Sequence, residues 1–216
     1  MTETALGQAE LVVRTISQTA VDNETYFCEL DAVAGDGDFG YSLARGFEVV
    51  LSDWDTMEYS DISGLLKKTA IVLTKRIGGT SGPIWGTAFL RAGGALGDAP
   101  EPTGEQVIAA LRAAIEGIKQ RGNTDLGDKT LLDALVPAVD ELQAALPEGS
   151  SAAIERAAAK ARESADATKG MLAQRGRASY TGDRSRDSAD AGAIGVAVMW
   201  EAVSKAWQEA QQKERA

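Results

Sequence analysis

Residues 30–40 read L-D-A-V-A-G-D-G-D-F-G, so Asp31, Asp36 and Asp38 fall within eight residues of one another, with Gly35, Gly37 and Gly40 among them. Three carboxylates this close repel unless a cation compensates them. Magnesium takes hard oxygen ligands in octahedral geometry and is held by a few carboxylates together with substrate phosphates, and the glycines free the backbone to turn tightly around such an ion. The same residues also describe a solvated turn in which Asp caps a helix. The segment alone does not choose between the two. Two look-alikes fail: an EF-hand loop opening at Asp36 needs Gly and Glu where Tyr41 and Phe47 stand, and the kinase-like triplet Asp38-Phe39-Gly40 lacks the histidine-containing catalytic loop that accompanies it.

Three further segments carry chemistry. Gly78 to Pro83, G-G-T-S-G-P, puts a donor-rich turn before a helical run, with Pro83 suited to the first helical position. Open N–H groups at a helix start favour an anion, while glycines for close packing explain the same residues without one. No Gly-Lys-Ser/Thr sequence occurs, so this is not a P-loop. Gly127 to Thr130, G-D-K-T, is a helix start capped by Asp128 or a nucleotide contact through its backbone or Lys129. Arg175, Arg177, Arg184 and Arg186 crowd the stretch before Gly192. Arg177, flanked by Gly176, Ala178 and Ser179, can reach a phosphate bidentately or pair with surface acids.

Composition removes other chemistries. There is no histidine and one cysteine, Cys28, which excludes a disulfide framework, a His-built zinc site and Ser-His or Cys-His catalysis. A net charge of -10 argues against nucleic acid as a partner. No apolar run approaches the ~20 residues of a membrane span, and Met1 to Ala9 lacks the order of a signal peptide, so a cytoplasmic protein without membrane attachment is expected.

The elements that must position these segments are helical. Apolar residues recur at helical spacing in Leu11, Val12, Ile16 and Ala20, again from Ile62 to Leu73, from Val107 to Ile118 and from Leu132 to Leu142. Thr103 with Gln106 forms a capping box, and Ser150 or Ser151 is expected to cap an alanine-rich helix running to about Met171. Trp85 and Trp200 are expected in the core rather than as base-stacking platforms. Eight or nine helices and no internal repeat give one all-α domain, residues 1–216, with its glycine-rich loops as the functional end.

In this order, the four segments resemble the nucleotide-binding L subunits of dihydroxyacetone kinases, whose sequences carry L-D-A-x-x-G-D-G-D, G-G-x-S-G-P, G-D-K-T and G-R-A-S-Y followed by D-P-G. The resemblance runs over essentially the full length. It implies an eight-helix antiparallel barrel binding ATP or ADP at one end through two Mg2+ ions. By position, Asp31, Asp36 and Asp38 look like metal ligands, and Phe39, Gly40, Tyr41 and Ser42 with Thr80 and Ser81 look like the phosphate cradle. Gly122, Leu131, Arg177, Asp190, Ala191 and Gly192 look like the remaining nucleotide contacts. The resemblance also implies a K-type partner subunit that holds a small ketose covalently through its own histidine. Phosphoryl transfer from ATP, or through a phosphoenolpyruvate-dependent phosphotransferase relay, and a homodimer are the corresponding expectations. A nucleotide-loaded adaptor without enzymatic activity is the alternative.

The chain departs from the family at Phe39, where a polar residue is common, at Ser42 for asparagine, and at Ala191 for the proline of D-P-G. These departures keep nucleotide binding expected. They leave four-carbon ketoses such as erythrulose open beside dihydroxyacetone as substrate.

Overall fold

The computed structural model describes residues 4–215. Met1, Thr2 and Glu3, part of the N-terminal segment read above, and Ala216 lie outside them. Nine α-helices account for most of the described residues, and none of these is in a strand. They are α1 (Ala5–Asp22), α2 (Glu24–Ala34), α3 (Phe39–Ser52), α4 (Ile62–Arg76), α5 (Ser81–Leu96), α6 (Gly104–Gly122), α7 (Leu132–Ala145), α8 (Ser150–Ala167) and α9 (Ala191–Arg215).

Each of α3 to α9 packs on the next, and α1 packs on both α3 and α9, which closes a ring of eight. The short α2 is not one of the eight; it packs on α3 and α9 at one end of the ring and sends Phe27 into the core. Glu10 and Arg14, within the first ten residues of α1, meet Tyr59 and Trp54 just beyond the C-terminal end of α3, so these two helices run antiparallel. The expected eight-helix antiparallel barrel is thus the architecture, with α2 as an addition at one end.

The ring is filled by its inward stripes. Phe27, Leu43, Phe47, Leu65, Leu73 and Trp85 form one core cluster with the inner face of α9, and Ile108, Ile115, Ile118, Leu132, Val139 and Leu142 form a second. Phe47 meets Trp85 edge-on with centroids 6.1 Å apart, and Trp200 packs partly buried against both clusters, as expected for core tryptophans. Along α8 the buried stripe is all alanine, Ala153, Ala157, Ala158, Ala161 and Ala165, which lets its neighbours approach closely.

Local signals hold in part. Thr103 and Gln106 form the full capping box at the start of α6. Asp128 does not cap α7; its carboxylate accepts from Asp125 N, and Asp133 in the first turn accepts from Thr130 N at 2.7 Å and Gly127 N at 2.6 Å instead. Neither Ser150 nor Ser151 caps α8, because Gly149, at φ 98°, takes that position and both serines lie inside the helix. α8 also ends earlier than expected. The Thr168 hydroxyl turns back to Ala165 O and receives Asp190 N, drawing the chain out of the helix before Met171. Pro83 is the third residue of α5 rather than the first, still within the turn that needs no N–H donors.

Candidate functional site

In an antiparallel ring the connections alternate between its two ends. Those from α1 to α3, α4 to α5, α6 to α7 and α8 to α9 share one end, and they are the four glycine- and arginine-rich segments. Segments far apart in sequence converge there because the helices between them run across the ring and back.

The acidic segment is a helix, a loop and a helix. Asp31 sits in the last turn of α2, Asp36 on the loop, and Asp38 at the N-cap position of α3 without making a side-chain cap. One carboxylate oxygen from each lies within 4.8 Å of the others. Asp31 Oδ2 accepts Gly37 N at 2.9 Å, and Gly37 sits at φ 76°, a conformation L side chains rarely adopt, so the glycine here shapes the loop. Gly40 serves differently: a Cβ there would strike Glu24 O and Cys28 N, so its absence lets α3 cross α2 closely enough for Tyr41 N to reach Cys28 Sγ at 3.2 Å.

Arg177, from the long connection before α9, reaches across to this cluster. Its guanidinium pairs with Asp36 and, at 3.3 Å, with Asp38. Of the two readings of Arg177, the structure has the pairing with acids, and those acids are the candidate metal ligands. Arg175 donates to Asn123 O at 2.5 Å and Arg186 to Gly170 O at 2.6 Å, which tie the loop to neighbouring backbone.

The expected phosphate turn adjoins the cluster. A Cβ at Gly78 would lie 3.7 Å from Ser42 Oγ, so the start of α3 and the turn before α5 are neighbours. Thr80 holds the N-cap position of α5 without a side-chain cap, with Ser81 following it. The first turns of α3 and α5 therefore leave amide donors unclaimed by any capping side chain, in a form suited to an anion. Tyr41 is largely exposed, with the Arg45 guanidinium 5.1 Å from its ring centroid.

A second group forms around α7 and α9. Gly192 abuts Leu131, and Gly122 lies against Ile84 of α5 and Thr124. Asp190 Oδ2 caps α9 through Ala193 N at 2.8 Å, with Ala191 opening the helix. The Asp190 residue is half-buried, and the protein packed around its carboxyl, by removing water, pushes its pKa up to about 7.

Two side chains of these segments are committed elsewhere. Lys129 is not available to a nucleotide: it is 2 % exposed, and its ammonium donates to three carbonyls, Ser185 O, Ser188 O at 2.7 Å and Met171 O at 3.2 Å. It clamps the arginine loop to the 127–130 turn while sitting at φ 62°, and burial lowers its pKa. Nor does the Phe39 side chain face the carboxylates. Its ring lies 6.1 Å from that of Phe27 and beside Gly195, partly buried on the core, so the apolar residue at this position anchors α3. Sequence reasoning missed Lys129, Asp133 and Thr168 as organisers of this end. Asp133 alone left a signal, an acid in a first helical turn.

The DAK2 domain family matches residues 33–205. The ADP-binding subunit DhaL of the PEP-dependent dihydroxyacetone kinase of Escherichia coli K12 is 36% identical over 186 residues, covering 85% of this chain and 89% of the subunit. The L-erythrulose 1-kinase of Mycolicibacterium smegmatis is 34% identical over 90% of this chain, which spans 34% of that kinase. Among solved structures, the dihydroxyacetone kinase of C. freundii in complex with AMP-PNP and Mg2+ superposes with a TM-score of 0.70 at 27% identity, covering 90% of this chain and 33% of that one. The chain therefore spans about a third of these two larger kinases. With a family match that reaches from the last turn of α2 into α9 and takes in the four converging segments apart from Leu30, Asp31 and Ala32, the chain belongs to the DAK2 domain family.

Proposed function

We propose that this chain is the Mg2+-nucleotide-binding component of a dihydroxyacetone-type kinase, with Asp31, Asp36 and Asp38 holding two Mg2+ ions. The observation that carries the reading is the gathering of three carboxylates, with an oxygen from each within 4.8 Å, at the ring end where uncapped helix starts and Arg177 also meet. Hard oxygen donors from short side chains fit magnesium and leave positions for phosphate oxygens. When bound, the ions offset the charge of the polyphosphate and of the transferring phosphoryl group.

The chain's own groups bind and orient. The open amides of Phe39 and Gly40 at the start of α3, and of Thr80 and Ser81 at the start of α5, take phosphate oxygens, with Tyr41 and the Ser42 hydroxyl beside them. Arg177, already across Asp36 and Asp38, is the cation that meets the outer phosphates. Gly122, Leu131, Asp190, Ala191 and Gly192 bound the nucleoside; Gly122 and Gly192 present little bulk there, and Leu131 is an apolar neighbour. The substrate hydroxyl comes from an acceptor delivered by another protein.

That acceptor is a small ketose, dihydroxyacetone or a four-carbon relative such as erythrulose, held covalently by a K-type subunit. Relatives of nearly the same span are named as ADP-binding subunits of PEP-dependent kinases, which favours rephosphorylation of bound ADP by a phosphoenolpyruvate-dependent relay over exchange with free ATP. A homodimer working in the cytoplasm completes the reading, and among the described residues no helix is long and apolar enough to cross a membrane.

Calorimetry tests the site. ADP is expected to bind only with Mg2+, and Asp36→Ala to abolish binding; Mg2+-independent binding of wild-type strength in that variant overturns the assignment. The activity is read as ketose-dependent consumption of ATP, or of phosphoenolpyruvate with relay proteins, in the presence of a K-type subunit.

A further inference from the structure

One face of the ring is chemically unlike the rest. Residues 62–97, which contain α4 and α5, include Lys67, Lys68, Lys75, Arg76 and Arg91 and no Asp or Glu, in a chain of net charge -10. α5 turns Gly82, Trp85, Gly86 and Gly93 inward, and its opposite stripe lies at the bottom of a groove of about 860 Å³ walled by α4 and α6. A second hollow of about 330 Å³ continues this groove to Lys75 and Pro83, at the end of the ring that carries the carboxylates.

The groove combines the two features of a protein docking surface. Leu90 and Ile71 are 50% and 49% exposed on its apolar floor. Lys67, Lys75, Arg91 and Arg121 rim it, and among the described residues none of the four pairs with a carboxylate; Arg91 reaches only the amide of Gln120 at 3.4 Å. Elsewhere Arg45, Arg112, Arg156, Arg162 and Arg177 are all paired with acids. Half-exposed apolar side chains ringed by unpaired cations fit a partner that presents carboxylates around an apolar anchor. α5 is about 24 Å long at 1.5 Å per residue, room for a helix of about four turns laid along it.

We propose that this groove is the docking surface for an acidic, apolar-centred element of the ketose-carrying K-type subunit. The inference rests on the function proposed above. Position favours that occupant: the groove opens beside Pro83 and Arg121, at the ends of α5 and α6 that border the site, so a protein seated in it reaches over the rim to where an acceptor hydroxyl is needed.

The test measures ketose-dependent ATP consumption against the concentration of purified K-type subunit, with Mg2+-ADP calorimetry on each variant. The double variant Lys67→Glu, Arg91→Glu is expected to raise the KM for the K-type subunit by about tenfold or more, with kcat at saturation and ADP affinity retained. Leu90→Asp is expected to act in the same direction, whereas Lys68→Glu, outside the groove, leaves KM unchanged. Raised salt weakens the wild type and not the double variant. A double variant with wild-type KM overturns the docking surface and leaves the kinase reading standing. Absence of turnover in the wild type with ketose, ATP and K-type subunit overturns the kinase reading and the docking surface with it, even where Mg2+-ADP still binds.

Discussion

Helices begin differently at the two ends of the ring. Far from the carboxylates, Thr4 accepts Gly7 N, Asp61 accepts Gly64 N at 2.7 Å and Thr103 accepts Gln106 N, each closing a helix start with its own side chain. Only α8 begins there without one. At the carboxylate end Asp190 caps α9, but Asp38 and Thr80, beside the three carboxylates, occupy N-cap positions with side chains capable of capping, yet neither caps. Uncapped starts cost about 1 kcal/mol each in stability. This end also holds the buried Lys129 and the half-buried Asp190, where the other end has exposed ion pairs such as Arg14 with Asp55. The difference teaches that one end is finished for stability and the other is left open for a ligand.

The comparison breaks most decisively at Asp36. Its alanine variant is expected to lose about 100-fold or more in Mg2+-dependent ADP affinity. Denaturant stability should stay within about 1 kcal/mol, because the exposed carboxylate contributes little to the fold. A large loss of stability with affinity intact would make this end structural like the other.

Asp190 comes next. Its folded pKa of about 7 stands above the unfolded value of about 3.9, so between these pH values the folded state keeps a proton that the unfolded chain has released. Stability from this group therefore falls as pH rises through that window. Asp190→Asn should flatten the slope, read by urea unfolding at a series of pH values; an unchanged slope would show that this acid exerts no such cost.

Replacing Lys129 with methionine removes the donor shared by three carbonyls and is expected to destabilise by about 2 kcal/mol. Limited proteolysis should then cut between residues 171 and 188, and ADP affinity should fall because Arg177 rides on that loop. Resistance to cleavage in the variant would remove the clamp from the account. The smallest effect sharpens the contrast most directly. Thr103→Ala should cost about 1 kcal/mol with ADP affinity unchanged, whereas Thr80→Ala should leave stability nearly unchanged and weaken ADP binding a few-fold. The reverse pattern would invert the roles of the two ends.

Helical periodicity was legible in the sequence because each stripe repeats within a single element, and the capping box at Thr103 is a contact between residues three apart. Asp31, Asp36 and Asp38 were legible as a cluster for the same reason of nearness. Legibility failed where partners are distant. Nothing local to Lys129 distinguishes an ammonium reaching a nucleotide from one buried under carbonyls 42 to 59 residues away. Phe39 stood out in the sequence as an apolar departure beside the carboxylates, but its neighbours in space are Phe27 and Gly195.

The sequence by itself determined that the fold is helical, that its candidate site is built of carboxylates, backbone amides and arginine, and that four glycine- or arginine-rich segments connect the helices. Only the tertiary structure decided that those glycine segments share one end, that Arg177 meets Asp36 and Asp38, and that the unpaired cations of α4, α5 and α6 form one groove. Periodicity fixes which face of a helix is apolar. Closing eight such helices into a ring fixes which of their ends and outer faces become neighbours.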